Sequence, residues 1–82
     1  MRYMVNVDFC IDGTEKFDET IGKYESKESA TEFFLSERQN FLDIIRKADF
    51  WTIFSDRIDC FDAGDREDYE NNHITMSLSH TI

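Results

Sequence analysis

Seven acidic side chains lie within the fifteen residues from 56 to 70, where they accompany only two arginines. Dense carboxylates of this kind bind cations, either a divalent metal ion or the lysine and arginine side chains of another protein. Folding a small domain gains nothing from bringing like charges together. The segment therefore indicates a cationic partner, and its acidic members are Asp56, Asp59, Asp62, Asp65, Glu67, Asp68 and Glu70.

The aspartates of positions 56–68 recur at every third residue, a spacing that aligns side chains on a helix but not on a strand. Because Phe54 and Ile58 favour a strand, successive aspartates fall on opposite faces and form no single ladder. Residues 8–19 match part of a twelve-residue calcium loop, but its third position is Cys10 and the surrounding alternation predicts a strand. We therefore predict no metal site and no cofactor. The seven carboxylates are expected to surround a hairpin end, as a recognition surface or as a solvated loop that serves solubility.

The residues that could perform catalysis are few and scattered. His73 and His80 lie seven apart on a predicted strand, hence on opposite faces, and cannot chelate one metal ion together. Cys10 and Cys60 are too few for a disulfide framework and are expected to be reduced thiols. The sequence contains no glycine-rich phosphate loop, zinc knuckle or nucleophile elbow. These observations predict a protein that is not an enzyme.

Aromatic residues flank or interrupt the acidic segment. Interfaces draw most of their binding energy from a few aromatic anchors, while charge supplies steering and specificity. Trp51 and Phe61 fit a core position equally well. Tyr69 is surrounded by polar residues and is the better candidate for exposure. We therefore predict a partner-binding surface that consists of the seven carboxylates and Tyr69.

The length and charge of the chain restrict its partners. Its 82 residues predict a single domain, residues 1–82, and 40% hydrophobic residues suffice for a core despite a net charge of -9. Phosphate groups require lysine and arginine patches, so direct binding to nucleic acid or to an anionic membrane is not expected. The N-terminal residues alternate apolar and polar types, which predicts no signal peptide, and no apolar run approaches a membrane span. A cytoplasmic protein is expected.

The first 24 residues predict a hairpin of two strands. Apolar and polar residues alternate over positions 3–11, and Asp12-Gly13 signals a turn. A three-residue loop, residues 12–14, keeps apolar groups on one face by pairing Phe9 with Phe17 and Val5 with Ile21. The second strand then covers residues 15–24, and its apolar side chains lie on the same face of the sheet as those of the first strand.

Residues 26–47 repeat apolar side chains at intervals of three and four, which predicts one amphipathic helix. Ser29 and Glu32 form a capping-box pattern, and Ser26 is an alternative N-cap. Basic residues in the last turn complement the helix dipole. The stripe is expected to pack as core, and its members are Ala30, Phe33, Phe34, Phe41, Ile44, Ile45 and Ala48.

The remaining residues predict two strands joined by an acidic connection. Residues 50–61 read as a third strand with a bulge near Ser55 and Asp56, residues 63–72 as the connection, and residues 73–82 as the last strand. The predicted fold is α+β: a four-stranded antiparallel sheet with one long helix packed on one face, in the order ββαββ. Placing the two cleanest strands centrally gives the strand order 2-1-4-3. The uncovered face is expected to be polar and wet.

The small size, the negative charge, the reduced cysteines and the acidic segment 56–70 resemble the small acidic DNA-mimic proteins of phages, such as the anti-CRISPR inhibitors. The resemblance implies a protein inhibitor that acts in the cytoplasm of the bacterial host. Its carboxylates would imitate phosphates on the nucleic-acid-binding surface of a basic protein or CRISPR effector complex. Nuclease immunity proteins look similar by the same criteria. The alternative is an interaction module that forms a homodimer through its edge strands, with acid for solubility.

Overall fold

The computed structural model describes residues 2–11 and 13–81, without the side chain of Asp18, as one helix and five strands. The α+β class is confirmed, but the prediction of four strands is wrong. The elements are β1 (Arg2–Ile11), β2 (Thr14–Tyr24), α1 (Lys27–Lys47), β3 (Trp51–Asp56), β4 (Cys60–Asp65) and β5 (His73–Thr81). They form one antiparallel sheet in the order β2-β1-β5-β4-β3. The predicted pairing of the first strand with the last is therefore confirmed.

The predicted strand of residues 50–61 is two strands, because the chain reverses at residues 57–59. The Arg57 amide donates to the Cys60 carbonyl at 2.8 Å and closes this turn. The apolar residues of this stretch switch from odd to even positions because of this turn, and not because of a bulge near Ser55 and Asp56. A bulge does occur at Phe54, between the paired residues Ile53 and Ser55. The acidic connection is also shorter than predicted, since Ala63 is buried within β4.

The first hairpin differs from its predicted register. Ile11 pairs with Thr14 and Phe9 with Lys16, so two residues separate the strands instead of three. Asp12 of this loop lies outside the described residues, and Gly13 has the positive φ of 80° that such a turn requires. The predicted pairs of Phe9 with Phe17 and Val5 with Ile21 are wrong. The register shift between Val7 and Phe9 leaves Phe17 outside the ladder, and this residue is 64% exposed.

Helix α1 begins at the alternative N-cap, Ser26, and the capping box predicted at Ser29 and Glu32 is wrong because both residues lie inside the helix. Ser26 is the N-cap, and its Oγ accepts from the Ser29 amide at 3.1 Å. The helix covers one face of the sheet, and the core between them consists of Val5, Phe34, Ile45, Phe61, Ala63, Ile74 and Met76. Ile44 is 42% exposed, so its assignment to the core is wrong, and Leu42 packs there instead.

The other face of the sheet, called here the open face, is polar as predicted. Residues that pair across adjacent strands share a face. Asp8 pairs with Thr75 and Thr75 with Asp62, which places all three on the open face, opposite to the core residue Ile74. No helix in the described part of the chain is long and apolar enough to cross a membrane.

Candidate partner-binding surface

The acidic segment 56–70 is divided by strand β4 and does not surround a single hairpin end. Asp56 and Asp59 lie at the β3–β4 turn, whereas the carboxylates after Asp62 lie at the opposite end of β4. The six residues of β4 separate these two ends by roughly 17 Å at about 3.3 Å per residue. Asp62 lies between them on the open face. The prediction of one cluster is therefore wrong, because it treated two strands as one.

At the β3–β4 turn the carboxylates have cationic partners. Asp56 Oδ1 accepts from Arg38 Nη1 at 2.6 Å, an ion pair between the turn and the helix. Asp59 lies 3.7 Å from Arg57 Nε, and both side chains are exposed. Asp59 also fixes the turn through its carbonyl, which accepts from the Leu78 amide at 2.9 Å. The negative charge at this end is therefore largely balanced within the molecule.

At the other end, an ordered loop joins β4 to β5. The name acidic connection is used from here on for this loop, residues 66–72. Asp65 Oδ1 accepts from the Glu67 amide at 2.9 Å, and Asn71 Nδ2 donates to Asp68 Oδ1 at 3.0 Å. The Asn72 amide donates to the Asp68 carbonyl at 3.0 Å. These bonds shape the backbone and leave the Glu67 and Glu70 side chains exposed.

Five carboxylates in this half of the segment form no ion pair with a lysine or arginine within residues 2–11 and 13–81, although Arg66 lies among them in the sequence. They are Asp62, Asp65, Glu67, Asp68 and Glu70. The unpaired negative charge of this segment is therefore concentrated at Asp62, Asp65 and the acidic connection.

Tyr69 folds back from the acidic connection onto the open face. Its hydroxyl lies 2.7 Å from Asp62 Oδ1, to which it donates, and 3.2 Å from Thr75 Oγ1. Its ring stacks on His73 with centroids 4.8 Å apart and meets Phe54 edge-on at 5.7 Å. The side chain nevertheless remains 38% exposed. Tyr69 is thus exposed, as the sequence predicts, and these contacts fix the orientation of its ring.

His73 and Asp8 complete this cluster and were not among the predicted site residues. His73 Nδ1 lies 2.7 Å from the Tyr69 carbonyl, which can only accept, so Nδ1 carries the proton. Nε2 is directed at Asp8 Oδ1 at 3.7 Å, and that oxygen is inaccessible and has no hydrogen-bond partner among the described residues. The alternation of β1 and β5 in the sequence places both residues on polar faces of their strands. Their contact depends on the register between the two strands, which the alternation does not determine.

Two groups near the open face have raised pKa values. Burial raises the pKa of Tyr69; the bond to Thr75 opposes this rise, and the Asp62 carboxylate adds to it. Burial, followed by the nearby Glu15 carboxylate, raises the pKa of the Cys10 thiol. A thiol with a raised pKa stays protonated at neutral pH and is a poor nucleophile.

Cys10 and Cys60 are free thiols, and the sheet keeps them apart. Cys10 pairs with His73 and Cys60 with Ser77, so β5 lies between their strands and the two positions are four residues apart along it. Two strand spacings alone amount to about 10 Å, and a disulfide requires Cα atoms within about 7 Å. A bridge between them is therefore excluded in this fold.

Apolar side chains are exposed along β3, which forms one edge of the described sheet. Ile53 and Phe54 are 43% and 48% exposed, and their neighbours Phe50 and Ile58 are also exposed. The sequence predicts one strand with a core face here, but the Phe54 ring lies against Tyr69 on the open face, on the side of the sheet away from α1. Exposed apolar groups beside uncompensated carboxylates are typical of protein interfaces.

The described residues thus combine ordered carboxylates with half-exposed rings, and they place no group of three His, Cys, Asp or Glu side chains to hold a metal ion. Such a surface can bind a cation through both charge and ring contacts. The chain matches no protein-family model, no curated protein and no solved structure.

Proposed function

We propose that this protein is a non-enzymatic inhibitor that binds the nucleic-acid-binding surface of a basic protein or nuclease complex in the bacterial cytoplasm. The observation that carries the proposal is the set of five carboxylates from Asp62 to Glu70 that form no ion pair among the described residues. Their oxygens stand in for backbone phosphates and accept from the lysine and arginine side chains that otherwise hold nucleic acid.

The order of the acidic connection supports this role. Asp65 and Asp68 use one oxygen each to bond the loop's own backbone or side chains, so the loop is shaped before a partner arrives. A preformed loop reduces the entropy lost on binding. Glu67 and Glu70 remain free to pair with the partner. Association is therefore fast, electrostatically steered and weakened by salt.

The alternative of a homodimer through edge strands has less support. Both edge strands contain irregularities, two in β2 and one in β3, and bulges of this kind are a common protection against edge-to-edge pairing. Two copies would also each bring a net charge of -9. The exposed residues of β3 are the observation in favour of self-association, and they serve a basic partner equally well.

The proposal is tested by capture from a bacterial lysate at low salt and at about 0.5 M salt, with mass spectrometry and competition by DNA or RNA. We expect capture of one nucleic-acid-binding protein or complex that is lost in high salt and displaced by nucleic acid. Glu67→Lys with Glu70→Lys should abolish this capture. Glu25→Lys with Glu32→Lys, which reverses two exposed carboxylates elsewhere, should leave it intact.

Capture that survives high salt contradicts the proposal, because the interaction would then not depend on charge. Capture that both pairs of reversals weaken equally also contradicts it, because the acidic connection would then have no special role. Capture of nothing but the protein itself favours the homodimer. Circular dichroism of both reversed variants checks that the fold is retained.

A further inference from the structure

The Phe54 and Tyr69 rings form an exposed aromatic pair beside the acidic connection. Their planes meet at 68° with centroids 5.7 Å apart, and His73, which stacks on Tyr69 at 4.8 Å, covers one face of the Tyr69 ring. Phe54 is 48% exposed and Tyr69 is 38% exposed. Phe54 is the bulged residue of β3 and has no pairing partner on β4. The bulge thus releases Phe54 from the ladder and brings its ring against Tyr69.

Carboxylates and no strong cations adjoin this pair. Asp62 holds the Tyr69 hydroxyl through Oδ1, and Asp8 lies on the same face with its side chain 38% exposed, although its Oδ1 is inaccessible. The strands β3, β4 and β5 contain no lysine and no arginine. Arg66 of the acidic connection forms no ion pair among the described residues, so we expect the cation that pairs with these carboxylates to come from another molecule.

Arginine suits this arrangement better than lysine does. A guanidinium is planar and weakly hydrated, stacks on an aromatic face and donates two parallel hydrogen bonds to a carboxylate. An ammonium group is strongly hydrated and acts as a compact point charge, so it gains less from a ring. The exposed Phe54 ring offers a stacking face, and the Asp62 carboxylate, whose Oδ1 already accepts from Tyr69 and Thr75, lies within the same small area.

We infer that the open face at Phe54, Tyr69 and Asp62 is a docking surface for arginine side chains of a basic partner. The inference rests on the proposed function and specifies which part of the partner's chemistry is recognised there. Charge complementarity identifies the occupant, since a second copy of this chain would present the same acidic face and the same charge of -9. The acidic connection attracts any cation, and the ring pair selects arginine.

The test titrates the isotope-labelled protein with two peptides, one of nine arginines and one of nine lysines, and follows backbone amide signals. The arginine peptide should bind about fivefold more tightly and shift the signals of Phe54, Asp62 and Tyr69. Phe54→Ala should remove this preference, so that both peptides bind alike. Phe54→Leu, which keeps an apolar side chain without a ring, should do the same and covers the case in which the alanine variant fails to fold.

Phe17→Ala is the matched control, because Phe17 is a 64% exposed phenylalanine on the opposite edge strand. It should retain the preference for arginine. Equal affinity for both peptides in the unmodified protein, with shifts confined to the acidic connection, would overturn the inference and leave the proposed function standing. Failure of both peptides to bind at low salt would contradict the proposed function itself.

Discussion

At the scale of single residues, the most constrained position of the candidate surface is Gly64. A Cβ at this position would lie 2.6 Å from the Asn72 carbonyl oxygen and 2.8 Å from Tyr69 Cδ2. The Asp65 amide and the Asn72 carbonyl, which bond at 2.9 Å, fix the backbone there. Tyr69 can therefore lie over the open face only because residue 64 has no side chain.

Gly64→Ala is expected to lower the free energy of unfolding by about 1–3 kcal/mol, because an atom is added where no space exists. Denaturant unfolding measures the change. In a Tyr69→Ala background the same substitution should have a smaller effect, since one of the two clashes is removed. Equal effects in the two backgrounds would show that the Tyr69 ring does not lie against Gly64.

Stability should fall in alkaline solution because two acids have raised pKa values in the folded state. Cys10 and Tyr69 ordinarily ionise near 9.0 and 10.0. Below pH 9 both are protonated in the folded and unfolded chains, and their contribution to stability is fully present. Above these values the unfolded chain loses protons that the folded chain retains, so stability declines as pH rises through the raised pKa values.

Unfolding measured from pH 7 to pH 11 checks this sign. Cys10→Ala should flatten the decline that begins near pH 9, and Tyr69→Phe should flatten the part above pH 10. Ser36→Ala, which removes no ionisable group and lies at an exposed position of α1, is the control and should leave the profile unchanged. A stability that rises with pH in this range would contradict the assignment.

At the scale of elements, the sequence predicts the structures that depend on local pattern. The period of the helix, its N-cap at Ser26 and the alternation of the first and last strands are all confirmed. The errors arise where one inserted or omitted residue changes which side chains of a strand face the core. The shifts in β2 near Phe17 and Ile21 leave no mark in the sequence, and neither does the turn at residues 57–59, which contains no glycine or proline.

The candidate surface was predictable in composition but not in arrangement. Its carboxylates and Tyr69 were identified from their density and polar surroundings. Their division depends on contacts between distant residues: Arg38 with Asp56, and Tyr69 with Asp62. Such contacts follow from the packing of α1 against β3 and from the path of the acidic connection, which residue types alone do not determine.

The N-cap of α1 provides a test of local stabilisation. Ser26→Ala should lower the free energy of unfolding by about 1 kcal/mol, because the Ser29 amide loses its acceptor. Ser36→Ala lies at an exposed position inside the same helix and should change stability little. Thermal unfolding followed by circular dichroism compares the two variants. Equal losses would indicate that Ser26 does not cap the helix.

At the scale of the whole molecule, the net charge and the irregular edges of the sheet both oppose self-association. The net charge of -9 makes two copies repel at low salt. The irregularities in β2 and β3 interrupt the regular rows of donors and acceptors that a second sheet would need. The exposed apolar residues of β3 oppose this tendency, since their burial would favour association.

We expect repulsion to prevail, so that the protein is a monomer of 9.8 kDa in sedimentation equilibrium at low salt and at about 0.15 M salt. Raising the salt to about 1 M screens the charges and isolates the contribution of the apolar edge. Any association that then appears should be removed by Phe54→Lys and retained by Phe17→Lys, because only the former changes the β3 edge. A dimer that is already stable at low salt would show that apolar burial exceeds the repulsion, and it would assign the β3 edge to self-association.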